Sequence, residues 1–266
     1  MPEPESGDPW LTVVTVVKDD PVGFERTAAS LAGQALAGVE WVVVDGSGDA
    51  EGIPRLIGGA PGPAARYEWC PPAGVYAAMN TGLARVTGTY VLFLNAGDAL
   101  HDDAALATIR EVVDRDRPVW LYGQVCFVSP DGRETIPPPF DYAAERSVGF
   151  SRGRFPPHQG TVVSTRALRD IGGFDTSYRI VADYAALLRL SMLADPSTTD
   201  AVLATFVEGG ISSTSWRASI GEFHRARREI LRPSGVAALR ERTETTLQFA
   251  RIGVARLAKR LVGSRG

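Results

Sequence analysis

The stretch Gly88-Thr89-Tyr90-Val91-Leu92-Phe93-Leu94-Asn95-Ala96-Gly97-Asp98 decides the reading of this chain. Tyr90 to Leu94 is an unbroken apolar run that stops abruptly at polar residues. A short run of this kind reads as a strand buried on both faces of a parallel sheet. Asn95, Ala96, Gly97 and Asp98 then leave the sheet at its carboxyl end, where open α/β sheets bind their ligands. Asp98 stands where a carboxylate can hold a divalent cation against a phosphate. The competing reading is that it caps the next helix.

Upstream, Trp10 to Val17 reads as a first buried strand, and Phe24, Ala28, Leu31 and Ala35 recur at helical spacing. Val39 to Val44 is a second strand, leaving through Asp45-Gly46-Ser47-Gly48-Asp49. Such an exit brings backbone N–H groups and a carboxylate near a ligand, although many strand-to-helix turns look alike. A short strand, Arg66 to Trp69, precedes a helix with Val75, Met79 and Leu83 on one face. Downstream, Asp102 or Asp103 can cap a helix, and Val119 to Tyr122 is another strand. Alternating strands and helices argue for an α/β fold with a mostly parallel central sheet flanked by helices.

The pattern then changes. Pro130-Asp131-Gly132 marks a hairpin between 124–128 and 133–136. The proline-rich stretch 137–157 is too long for a simple connection and suits a lid or substrate segment. His158-Gln159-Gly160 opens a strand to Ser164, Asp183 caps or opens a helix, and Ala201 to Val207 is a last strand. Two helices, about 216–232 and 235–262, end the chain, broken at Pro233.

The 266 residues carry a net charge of −3, unevenly spread. Residues 217–266 hold 12 Lys/Arg against 4 Asp/Glu, so this tail is basic on an acidic body. Two cysteines, Cys70 and Cys126, form neither a disulfide framework nor a CxxC metal motif, which fits a reducing cytoplasm. The N-terminus lacks a signal-peptide pattern, and no apolar run approaches the roughly 20 residues that span a bilayer.

Taken together, Val44-Asp45-Gly46-Ser47-Gly48-Asp49, Gly74-Val75-Tyr76-Ala77-Ala78-Met79-Asn80-Thr81-Gly82 and Phe93-Leu94-Asn95-Ala96-Gly97-Asp98 resemble a family 2 glycosyltransferase of the GT-A fold. Tyr122-Gly123-Gln124-Val125, His158-Gln159, Ala182-Asp183-Tyr184 and Gly209-Gly210-Ile211-Ser212 continue the series over about residues 10–225. Each motif is weak and the ordered series is specific. The nearest subgroup contains bacterial transferases of cell-surface polysaccharide and mycobacterial phenolic glycolipid assembly.

The resemblance implies a Rossmann-like GT-A sheet with C-terminal helices and an inverting transfer from a nucleotide-diphosphate sugar to an acceptor hydroxyl. Thr15 and Asp45 stand at its nucleotide pocket, joined by Asn95 and His158 as contacts to the donor. Asp98 matches the metal-ligating carboxylate, for Mg²⁺ or Mn²⁺, and Asp183 the catalytic base. The chemistry is consistent with this set: a diphosphate leaving group needs its charge neutralised, and single displacement needs one base. The chain departs from the subgroup at Cys70, Pro72 and Ala77, where acidic residues are usual.

Bland readings stand beside these. Asp45 suits a turn, Asp183 an N-cap, His158 a buried hydrogen bond, and Tyr76 and Met79 the core. Asn80 is polar in mid-helix, a candidate to face the pocket. Two other functions compete: a nucleotidyltransferase, opposed by Lys18-Asp19-Asp20-Pro21 in place of a glycine-rich basic loop, and an inactive glycosyltransferase-like partner. The expected organisation is a catalytic domain, 1–232, and a basic amphipathic helix, 233–266. That helix suits an anionic membrane surface, the protein body or a second copy of the chain. Expected partners are a nucleotide sugar and a glycan or lipid-linked acceptor, with no nucleic acid. The expected location is the cytoplasm, with peripheral contact at the inner membrane surface.

Overall fold

The computed structural model describes residues 8–49, 51–59, 64–146, 150, 154–209 and 216–263. The loop Gly210-Ile211-Ser212-Ser213 lies outside them, as do the side chains of 253–263, including Val254, Leu257 and Leu261. The chain forms two compact units: residues 1–139 with 156–209, and residues 140–155 with 210–266.

In the first unit the strands are β1 Leu11–Val17, β2 Val39–Asp45, β3 Ala65–Trp69, β4 Tyr90–Phe93, β5 Ala99–Leu100, β6 Trp120–Val128, β7 Glu134–Thr135, β8 Thr161–Ser164 and β9 Ser197–Val207. Its helices are α1 Pro21–Ala32, α2 Gly52–Gly59, α3 Val75–Arg85, α4 Ala105–Asp116, α6 Thr165–Asp170 and α7 Ala182–Leu193. The sheet order is β3-β2-β1-β4-β8-β6-β9-β5, with β7 beside β6.

The first four strands in this order pair in parallel, as the βαβ pattern requires. Beyond β4 the sheet is mixed: β8 runs antiparallel to both β4 and β6, and β6 runs parallel to β9. The expectation of a mostly parallel sheet therefore holds for one half only. Apolar runs look the same in both settings, so pairing direction is not written in them. The two strands expected around Gly123 are one strand, β6. Gly123 lets Leu203 of β9 approach, since a Cβ there would meet Leu203 Cγ at 2.6 Å, and the register with β9 shifts at this point.

Successive residues of a strand point to opposite faces. Leu11, Val13 and Val17 join Phe24, Ala28 and Leu31 of α1 and Ile109, Val112 and Val113 of α4 in one core. Phe24 stacks on Trp41 at 5.6 Å. Val14 and Val44 point the other way, against Gly82 of α3. A Cβ at Gly82 would sit 2.4 Å from Val14 Cγ1, so the helix lies as close to the sheet as a bare backbone permits. Gly82→Ala should cost about 1–3 kcal/mol by overpacking. Urea denaturation measures this, and an unchanged midpoint would show that α3 can lift away freely.

The second unit contains α5 Tyr142–Glu145, α8 Trp216–Leu231 and α9 Gly235–Gly263. Helix α8 thus groups with the last helix. Arg227, with no exposed surface, holds the pair: Nε donates to Glu241 at 2.9 Å and Nη2 to Thr245 at 2.9 Å. Burial alone would raise the Glu241 carboxyl; His224 and Arg227 hold it below the usual carboxylate range. Removing one partner of a buried pair leaves the other charge uncompensated.

Candidate active site

The end of β4 extends beyond the strand itself. Leu94 N–H donates to Val14 O and Ala96 N–H to Val16 O, both at 3.0 Å, so β1 carries Asn95 out past the sheet. The chain then turns. Asp98 N–H donates to Asn95 O at 2.9 Å, and Gly97 takes φ +96°, where a side chain is disfavoured. Thr27 of α1 fixes the turn by donating to Asp98 O at 2.6 Å. Next comes β5, so Asp98 caps no helix, and that competing reading is set aside.

Asp98 is only 5% exposed. Burial pushes its carboxyl up to about 7, and His158, a side-chain hydrogen bond from Gln159 and the Asn95 backbone offset this only in part. Its charged form lacks compensation, and a cation would supply it.

His158 and Gln159 reach this point through strand register. Leu92 pairs with Val162 antiparallel, so the chain just before β8 lies beside the outgoing end of β4, where His158 meets Asn95. His158–Gly160 forms one 3₁₀ turn ahead of β8 rather than the first residues of the strand. His158 Nδ1 lies 3.1 Å from Asp183 Oδ2, and its Nε2 lies 3.5 Å from Asn95 Nδ2. Asn95 Oδ1 is buried without a hydrogen-bond partner. Amide orientation follows the ring: a neutral Nε2 accepts from Nδ2, whereas a protonated one needs Oδ1 turned toward it.

Asp183 sits in the first turn of α7, after Val181 at the N-cap. Its side chain points to other elements. Oδ2 faces His158, and Oδ1 lies 2.9 Å from the Tyr76 hydroxyl, whose proton is shared with Ile180 O at 2.6 Å. Burial works against the Asp183 charge, but His158, the Tyr184 backbone and Tyr76 hold its carboxyl below the usual range. For His158, burial opposes the ring charge while Asp183 and then Asp98 raise the ring above its ordinary value. Burial and the neighbouring Asp183 push the Tyr76 hydroxyl up, so it stays a donor.

Asp98, His158, Asn95 and Asp183 thus form one connected polar group at the carboxyl end of the central strands. Among the described residues, no three His, Cys, Asp or Glu side chains cluster to hold a metal by themselves. The buried Asp98 carboxylate is an oxygen donor that fits a hard divalent cation taking most of its ligands from a diphosphate and water, and the orphaned Asn95 Oδ1 at the same turn leaves the polar group open to further partners.

The sequence profile of Glycosyl transferase family 2 matches residues 12–172. The chain belongs to this family. A glycosyltransferase of Mycobacterium tuberculosis named only as uncharacterized is 29% identical over 210 residues, 77% of this chain and 78% of that one. The PGL/p-HBAD biosynthesis glycosyltransferase of Mycobacterium bovis is 30% identical over 153 residues, 53% of this chain and 54% of that one. Among solved structures, S. aureus TarS 1–349 with UDP superposes with TM-score 0.65 at 15% identity, over 91% of this chain and 71% of that one. Mannosyltransferase PcManGT of Pyrobaculum calidifontis, with GDP-Man and Mn²⁺, gives 0.64 at 16% identity, over 98% and 80%. The fold is GT-A, and the protein is a glycosyltransferase.

In this glycosyltransferase the profile stops short of Asp183, so that residue's placement rests on its own geometry. The remaining expected site residues lie deeper. Asp45 is fully buried at the end of β2; its Oδ1 accepts from Ser47 N–H at 2.8 Å and its Oδ2 from the Tyr67 hydroxyl at 3.0 Å. This is the turn geometry named as its bland alternative, and it shapes the loop rather than presenting a free carboxylate. Thr15 is fully buried in β1, its hydroxyl accepting from the Trp41 indole at 3.0 Å. Neither residue joins the Asp98–Asp183 group.

Tyr76, which reads as core, and Asn80, which reads as facing the pocket, both tie α3 to other elements. Tyr76 is buried and stacks with Phe174 at 6.0 Å, yet its hydroxyl holds Asp183. Asn80, one helical turn on, clamps Phe174 on both sides: Nδ2 donates to Phe174 O at 2.7 Å, and Oδ1 accepts from Phe174 N–H at 2.9 Å. Gly173, at φ +68°, admits Asn80, since a Cβ there would meet Oδ1 at 2.6 Å. The i, i+4 spacing of Tyr76 and Asn80 was the available signal: two polar tips on one buried face.

Proposed function

We propose that this chain transfers a sugar from a nucleoside-diphosphate sugar to an acceptor hydroxyl by single displacement with inversion, in cell-surface glycan or glycolipid assembly. One observation carries the reading: His158 bridges Asp183, at 3.1 Å, and Asn95, at 3.5 Å, whose turn holds the buried Asp98, so a carboxylate short of compensation and an ionised one stand at the same end of the sheet. Asp98 is the residue to hold the cation. When bound, Mg²⁺ or Mn²⁺ neutralises the charge that develops on the departing diphosphate. Asp183, held ionised, is the base. Each carboxylate oxygen has a second lone pair beside the bond it already accepts, enough to take an acceptor hydroxyl proton as bond formation makes that oxygen acidic. The bound UDP of TarS and the GDP-Man and Mn²⁺ of PcManGT support the donor class, and the PGL/p-HBAD relative supports the product class.

The nucleotidyltransferase reading fails at α1. Asp20 Oδ1 caps it by accepting Gly23 N–H at 2.8 Å, which places a negative charge where such enzymes take phosphate. Thermal shift with a panel of nucleoside diphosphates, with and without Mn²⁺, tests the proposal. A ligand at 100 times its Kd should add about 2.7 kcal/mol. A panel in which no nucleotide shifts the midpoint would contradict it.

No helix among the described residues is long and apolar enough to cross a membrane. For the C-terminal helix we propose a peripheral hold on anionic lipid through Arg256, Lys259 and Arg260. Truncating α9 would orphan the buried Arg227, so charge reversal is the cleaner probe. The triple variant Arg256→Glu, Lys259→Glu, Arg260→Glu should lose salt-sensitive binding to phosphatidylserine vesicles, by roughly 1 kcal/mol per residue or more. Equal vesicle binding by both proteins would assign the helix to packing or to contact with a second copy.

A further inference from the structure

We propose that Nε2 of His158 is the second protein ligand of the cation held by Asp98, and that Asp183 is its positioning residue. The inference rests on the reading of Asp98 as the metal-holding carboxylate. Four observations carry it.

First, His158 Nδ1 lies 3.1 Å from Asp183 Oδ2. In the neutral ring this bond takes the Nδ1 proton and leaves the lone pair on Nε2, the carboxylate–histidine arrangement that orients metal-binding imidazoles. Second, Nε2 faces the β4 exit. Its neighbour there is Asn95 Nδ2 at 3.5 Å, at the outer limit of a hydrogen bond.

Third, the buried Asn95 Oδ1 has no partner at this spot, so the polar group is incomplete as protein alone. Fourth, the pieces are rigidly placed. The β4–β8 pairing leads into the His158–Gly160 turn beside Asn95, and the turn that holds Asp98 is closed by its own N–H on Asn95 O at 2.9 Å. A cation between Asp98 and His158 takes two protein ligands and draws the rest from diphosphate and water, so tight binding requires the nucleotide.

A nitrogen ligand also sets metal choice. Imidazole favours Mn²⁺ or Co²⁺ over Mg²⁺, which prefers oxygen and sheds water reluctantly. The competing role for the dyad, His158 as general base with Asp183 behind it, needs Nε2 to face an acceptor rather than the β4 exit.

Pulsed electron paramagnetic resonance on Mn²⁺ with the full chain and UDP or GDP tests this. Wild type should show nitrogen coupling from one imidazole, and the pattern should change when histidine is ¹⁵N-labelled. In His158→Gln the coupling should vanish, Mn²⁺ affinity fall about tenfold or more, and preference shift toward Mg²⁺. Asp183→Asn should keep the coupling with affinity about tenfold weaker, since its amide oxygen still accepts from Nδ1. The wild-type spectrum decides the matter even if His158→Gln fails to fold. Mn²⁺ binding that depends on Asp98 but shows no histidine coupling would overturn this inference and leave the proposed function standing. No Mn²⁺ binding with any nucleotide would overturn both.

Discussion

Asp183→Asn should lower sugar transfer on the order of a thousandfold while the protein stays folded. The loss corresponds to about 4 kcal/mol of transition-state stabilisation. The geometry explains why so small a change is so selective. The amide keeps the shape of the carboxylate, accepts from His158 Nδ1 through its oxygen and can donate to the Tyr76 oxygen, so neither neighbour is orphaned. It loses the ability to take a proton. A base acts on the acceptor hydroxyl only as the new bond forms, so donor affinity at saturating Mn²⁺ should change little. Steady-state kinetics with calorimetry separate the two. A collapse of donor affinity at saturating metal would move Asp183 from base to donor binding.

Asp98→Asn should lower turnover by a hundredfold or more and remove the Mn²⁺ dependence of nucleotide binding. Here the charge itself is the function. Asp98 is buried, and its carboxyl lies near 7 because little protein charge compensates it. A neutral amide costs less to bury, so the thermal midpoint without metal should not fall. With Mn²⁺ and nucleotide, the stabilisation seen in wild type should be absent. Undiminished turnover would show that the diphosphate is neutralised elsewhere.

How much of this was legible in the residues alone follows from what each signal encodes. The run Tyr90 to Leu94 and its polar exit gave β4, its burial and the place of Asp98, because an apolar strand between two covered faces has few other readings. The carboxyl-end rule pointed to the candidate site. The mixed half of the sheet was not legible, since direction depends on which strands meet. Thr15 and Asp45 stand at carboxyl-end positions, yet their side chains are spent on Trp41, Ser47 and Tyr67 within the fold. Tyr76 reads as core because a packing residue and one with a working hydroxyl look alike in a helical apolar stripe; only the 2.9 Å approach to a residue 107 positions away separates them. The link from His158 to Asp183 has the same origin: it joins a turn before β8 to the first turn of α7, and no local spacing announces it.

The most direct test of the account is the stereochemistry of the reaction. The nucleotide sugar whose nucleoside diphosphate gives the largest thermal shift is incubated with the full chain and Mn²⁺, and the first-formed sugar is followed by proton NMR. Single displacement by water or an acceptor at the Asp98–Asp183 group predicts an inverted anomeric centre, formation halted by chelating the metal, and formation slowed on the order of a thousandfold in Asp183→Asn. A retained anomeric centre, or product formation indifferent to chelation, would contradict it.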